Sequence, residues 1–110
     1  MTVLRGYLDD QGNKPFADWF NALDHSAAAK VTIGLTRMEQ GNFSNSKSVG
    51  TGVYEYKIDF GPGYRIYFGK DGDTLVILLG GGTKKRQQKD IAAAQSSWAD
   101  YKRRKKRETQ

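Results

Sequence analysis

The chain has no cysteine and a single histidine in 110 residues. Without thiols there is neither a disulfide nor a thiolate metal centre, which favours a reducing compartment such as the cytoplasm. The lone histidine, His25, falls beside the start of a predicted helix and supports neither a histidine-based nuclease centre nor a histidine metal site. No apolar run approaches the roughly 20 residues of a membrane span. The opening residues, MTVLRGYLDDQG, lack the apolar core of a signal peptide. No internal repeat is visible. The glycine run Gly80-Gly81-Gly82-Thr83 lacks the spacing and the lysine-serine or lysine-threonine pair of a phosphate loop, so it is read as permitting a sharp exit or a close approach.

What is abundant is positive charge. The formal net charge is +6, the isoelectric point about 9.6 and the mean hydropathy −0.71. Such a balance points to a polyanionic or acidic partner. Most of the excess sits in Lys84-Lys85-Arg86, Lys89 and the block from Lys102 to Arg107. Like-charge blocks at a chain end are commonly solvated tails. The length suits one domain with one core, assigned to residues 1–102, followed by a basic C-terminal tail over 103–110.

The most informative stretch is Val53 to Gly82. Tyr54, Tyr56, Ile58 and Phe60 alternate with Glu55, Lys57 and Asp59, the pattern of a strand with one buried and one wet face. Gly61-Pro62-Gly63 turns the chain, and Tyr64 to Gly69 alternates in the same phase. A three-residue loop pairs Phe60 with Tyr64 and Lys57 with Tyr67. Lys57, Asp59, Arg65 and Tyr67 then share an open face. After Asp71-Gly72-Asp73, a hairpin signal of two or three residues, Thr74 to Leu79 is continuously apolar, as in a central strand buried on both sides.

The flanks are simpler. Val3 to Leu8 predicts a first strand. Pro15 opens a short helix with Phe16, Trp19, Phe20 and Leu23 on one face. Asp24 caps a second helix that Gly41 ends, and a short edge strand is expected near Lys47 to Val49. Arg86 to about Lys102 forms the last helix, with Ile91, Ala94, Trp98 and Tyr101 inward. This order predicts an α+β fold: an antiparallel sheet of four to five strands with helices packed on one face.

Three segments in order carry a family resemblance: Gly52-Val53-Tyr54-Glu55-Tyr56-Lys57-Ile58, Tyr64-Arg65-Ile66-Tyr67, and Leu78-Leu79-Gly80-Gly81-Gly82-Thr83-Lys84-Lys85 running into the Gln87-Gln88-Lys89-Asp90-Ile91 helix. Over residues 3–102 the chain resembles the RelE/ParE superfamily of type II toxins, in particular its HigB-like, phage Gp49-related branch of addiction-module killer proteins. The resemblance implies a RelE-like fold, a cytoplasmic toxin and a cognate antitoxin, often a helix-turn-helix DNA-binding protein. It implies ribosome-dependent mRNA cleavage, or gyrase inhibition as in ParE members, or an inactive homologue. No cofactor, metal or membrane is implied.

The family's basic positions fall at Lys57, Arg65, Lys84 and Lys85. The terminal tyrosine or histidine of some relatives has no counterpart, and Tyr101 is read as inward-facing. Metal-independent RNA cleavage needs proton transfer and stabilisation of a charged phosphorane. Arg65 suits the phosphorane, Lys57 proton transfer, and Tyr67 the ribose or a base. Lys84, with Lys85, Arg86 and Lys89, would hold neighbouring phosphates. The competing expectation is ordinary cross-strand pairing, of Lys57 with Glu55 or Asp59 and of Arg65 with Asp59.

Overall fold

The computed structural model of the protein describes residues 1–108. Strands β1 (Val3–Gly6), β2 (Ser46–Gly50), β3 (Val53–Ile58), β4 (Tyr64–Asp71) and β5 (Leu75–Thr83) are joined by helices α1 (Pro15–Asn21) and α2 (His25–Glu39), and α3 (Gln87–Glu108) closes the fold. The sheet order is β1-β5-β4-β3-β2. β2 to β5 are antiparallel neighbours, and β1 lies parallel to β5. The architecture is the expected α+β one, consistent with a RelE-like fold, although the parallel β1 makes the sheet mixed rather than wholly antiparallel.

Local signals explain the first helices. Pro15 occupies the first turn of α1. Asp24 caps α2 through its carboxylate, which accepts from the Ala27 amide at 2.8 Å. Past the end of α2, Gly41 adopts a left-handed φ of 82° that an L side chain would resist. α1 and α2 place Phe16, Val31 and Met38 against Tyr56, Ile58, Ile66 and Phe68, the even-numbered face of β3 and β4.

The other face is not open, contrary to the expectation of helices on one side only. α3 crosses it and buries Val53, Tyr67, Ile77 and Leu79 beneath Ala94 and Trp98. Those four apolar side chains need a cover, and the absence of side chains lets it approach closely. A Cβ on Gly69 would stand 2.5 Å from the Trp98 ring. Tyr101, predicted to face inward, stacks on Trp98 at 5.3 Å between centroids and donates to Asp71 at 2.6 Å.

Two registers differ from expectation. Ile58 pairs with Tyr64 and Lys57 with Arg65, so the β3–β4 turn has five residues rather than three. The slip of two keeps odd residues on one face. Phe60 leaves the ladder because it packs against the α2-side core, and its carbonyl accepts from the Gly63 amide at 3.0 Å. The β4–β5 turn has three residues, Gly72 to Thr74, since Asp71 pairs with Leu75. A bulge then shifts the pairing between Phe68↔Leu78 and Tyr67↔Gly80. In consequence Gly81 faces Trp19 and Gly82 faces Asp90, so the glycine run admits one side chain on each face.

α3 also extends through the basic block to Glu108, where a solvated tail was expected. Its last turns are tied down. Tyr7 donates to Asp100, Arg104 pairs with Asp100 at 2.8 Å and donates to the Leu8 carbonyl, and Lys105 pairs with Asp71.

Substituting Gly69→Ala should cost about 1–3 kcal/mol, the usual penalty of overpacking. Trp98→Leu in the same chain should relieve part of it, so the two costs will not add. Urea unfolding of the single and double variants measures this, and strict additivity would refute the contact.

Candidate active site

The site begins with a buried ion pair. Glu55 on β3 and Arg65 on β4 are 1% and 5% exposed, and Arg65 Nε stands 3.3 Å from Glu55 Oε1. Burying two charges is costly unless both are paired and their remaining polar atoms satisfied. Here Gln87, at the start of α3, donates to Glu55 Oε2 at 2.7 Å, and Arg65 Nη1 donates to the Gly63 carbonyl at 3.4 Å. The same carbonyl accepts from the Lys84 backbone amide at 3.1 Å. One turn residue therefore ties Arg65 to the segment that carries Lys84.

The pair forms one wall of a cleft of about 390 Å³, lined also by Lys57, Asp59, Lys47 and Ser44 to Ser46. Lys57 lies directly opposite Arg65 in the β3–β4 ladder and is exposed. Among the described residues Lys57 and Asp59 make no ion pair. The cleft thus holds an internally braced guanidinium beside an exposed ammonium and a carboxylate, neither of which is ion-paired among the described residues.

Behind this wall the polar atoms are less well served. The Tyr67 hydroxyl and Asp90 Oδ2 are buried without a hydrogen-bond partner among the described residues. Burial raises the Tyr67 phenol strongly, Glu55 and Asp90 add to the rise, and Arg65 opposes it. Burial likewise raises the Asp90 carboxyl above the usual carboxylate range, with Arg86 pulling the other way. No group of three or more histidine, cysteine, aspartate or glutamate side chains among the described residues could hold a metal ion.

The family model for Gp49-like phage-derived proteins matches residues 18–99, a span that includes every strand of this wall. The chain belongs to that family. It is also 43% identical to an uncharacterized protein of Haemophilus influenzae over 64 residues, which make up 57% of this chain and 65% of the relative. The chain therefore spans a little under two thirds of that relative's length.

In this Gp49-like protein the predicted residues separate into three groups. Lys57 and Arg65 meet in the cleft. Lys84, tied through its backbone amide to Gly63, lies with Lys85, Arg86 and Lys89 outside the cleft lining, exposed on the single 3-10 turn after β5 and the first turn of α3. Tyr67 is fully buried under α3, so it cannot touch a ribose or a base from the cleft. The expectation that Arg65 stands on an open face fails for the same reason. Its partner is Glu55 rather than Asp59, because the two-residue slip puts Lys57, not Asp59, opposite Arg65. Sequence reasoning missed Glu55, Gln87 and the Ser44–Lys47 wall. Only the position of Glu55, in phase with Lys57 on β3, signalled the first of these.

Two measurements test this electrostatic picture. Glu55→Ala should destabilise the protein by about 3–5 kcal/mol, because it strands a buried guanidinium. Urea unfolding reads this directly, and a cost below about 1 kcal/mol, the range of exposed pairs, would show the pair to be solvated. Asp90 tests pH dependence. Its folded-state pKa is raised, so its contribution to stability is intact below the unfolded value, about 3.9, and is lost as pH rises through the folded value. Asp90→Asn should therefore stabilise the protein at pH 7 and give up that gain as the pH falls through the folded value toward about 4. A stability difference independent of pH would show that the carboxyl is not desolvated.

Proposed function

We propose that this protein is the cytoplasmic toxin of a type II toxin–antitoxin pair and that its cleft cleaves mRNA on the ribosome. The reading rests on one observation above the others: Lys57 and Arg65, cross-strand partners, meet at one cleft in a strongly basic chain of the Gp49-like family. RNA cleavage of this kind moves the ribose 2′-oxygen onto the adjacent phosphorus and breaks the bond to the 5′-oxygen. A 2′,3′-cyclic phosphate and a free 5′-hydroxyl result. The 2′-hydroxyl gives up a proton and the departing oxygen gains one.

Arg65 is suited to the phosphorane, because its guanidinium is held by Glu55 and Gly63 and needs no reorganisation as charge develops. Lys57 is the proton donor to the 5′-oxygen, and Asp59 the carboxylate positioned to accept the 2′-proton. Lys84 and Lys85 hold flanking phosphates. In this reading the ribosome aligns the substrate on these groups. The antitoxin is expected to present an acidic segment to the same basic end of the fold. The internal neutralisation of Arg65 by Glu55 supports a second reading, in which the cleft is a docking surface for a protein target such as DNA gyrase.

Lys57→Ala separates these readings. The side chain is exposed, so stability should change by no more than about 0.5 kcal/mol, while loss of one such group should slow cleavage on the order of a hundredfold or more. Growth after induction and mapping of mRNA 5′ ends provide the readout. A Lys57→Ala protein that cuts mRNA like the wild type overturns the nuclease assignment. Growth arrest with intact mRNA and broken chromosomal DNA would favour the gyrase reading.

A further inference from the structure

A second hollow, of about 260 Å³, lies on the α2 side of the sheet, bounded by Lys30, Ile33 and Arg37 of α2, by Ile58 at the end of β3 and by Phe60 beyond it. It shares Asn45, Lys57 and Asp59 with the candidate cleft. The cleft and the hollow lie on opposite faces of the sheet. They meet across the stretch where β3 outruns its edge partner, since β2 begins only at Ser46, opposite Tyr56. Resting on the nuclease reading, we propose that this hollow is a second nucleotide subsite, and that single-stranded RNA leaving the cleft wraps over this edge into it.

Charge, shape and surface chemistry all favour that occupant. Three cations, Lys30, Arg37 and Lys57, rim the hollow against one carboxylate, Asp59. Lys30 and Arg37 are seven residues apart on α2, two helical turns on one face, and both are exposed. Neither makes an ion pair among the described residues, so both are available to phosphates. Between them Ile33 is 46% exposed. It adds apolar surface to the lining of the hollow. Gly34 has no side chain there, and an added Cβ would come within 3.1 Å of the Tyr56 ring. The floor beside it is Phe60, with Lys30 Nζ 5.3 Å from the ring centroid. An apolar floor with an aromatic ring and a cationic rim is what a base and its flanking phosphates require, and it is sequence-tolerant.

The probe is a fluorescent RNA hexanucleotide carrying 2′-O-methyl groups, which has no 2′-proton to lose and cannot be cut by this chemistry. Binding by the intact protein is followed by anisotropy across a salt series. Lys30→Ala/Arg37→Ala should weaken binding for every hexamer sequence. It should also lower the slope of log affinity against log salt by about 1.4, at about 0.7 per single-strand phosphate contact. Ile33→Asp should weaken binding without removing a cation. Circular dichroism and melting temperature confirm that these exposed substitutions leave the fold unchanged.

Wild-type binding by the double variant, together with loss of binding in Lys57→Ala, would overturn the subsite and leave the cleft assignment standing. If no variant alters RNA binding while a polyglutamate peptide shifts the amide resonances of Lys30 and Ile33, the hollow is a protein-docking surface and the proposal fails.

Discussion

The packing of Trp98 on Gly69 decides what the rest of the molecule can be. Where β4 carries no side chain, an indole ring lies directly on the backbone, and α3 is drawn across the sheet at that distance. The half of the face beneath Ala94 and Trp98 becomes a second core. Toward Lys57 and Asp59 no helix follows, and the cleft remains. The boundary between the two falls at the Glu55–Arg65 pair, which touches the cleft on one side and Gln87 of α3 on the other. Site and scaffold are therefore not separate parts. The helix that buries Tyr67 also supplies the hydrogen bond that fixes the carboxylate behind Arg65.

Much of this arrangement was legible in the residues alone. Period-two alternation placed Glu55, Lys57, Arg65 and Tyr67 on one face, and they are on one face. Pro15, Asp24 and Gly41 marked helix ends through local backbone chemistry, and they mark them. What alternation cannot tell is which half of a face is covered. Tyr67 has the same phase as Lys57, but one is fully buried and the other exposed, because cover depends on a helix arriving from 30 residues later in the chain. The width of the β3–β4 turn was likewise beyond local reading. It is set by where Phe60 finds a core to enter, and that core is made by α2.

The same limitation explains the basic C-terminal block. Read as a string, Lys102 to Arg107 is a run of like charge with no reason to order. In the fold, Arg103 and Arg104 meet Asp100 one turn earlier on the same helix, while the Leu8 carbonyl that Arg104 also meets and the Asp71 that Lys105 meets come from distant segments. Each exposed contact is worth little alone. Together with Tyr7–Asp100 and Tyr101–Asp71 they extend the helix well past its last apolar residue.

The parallel pairing of β1 with β5 sets the order in which the chain can fold. Val3 is opposite Leu75, so the first strand waits for a partner 75 − 3 = 72 residues further on. The two cores are equally non-local, since Phe16 and Trp98 each need strands from the middle of the chain. Until the β3–β4–β5 meander exists, neither end has a surface to join. During synthesis the N-terminal strand and α1 therefore remain unfinished until β5 has been made. The last helix then closes over Gly69 and completes the wall behind Arg65. The wall of the cleft is consequently a late feature of this fold, completed only when α3 has followed the meander.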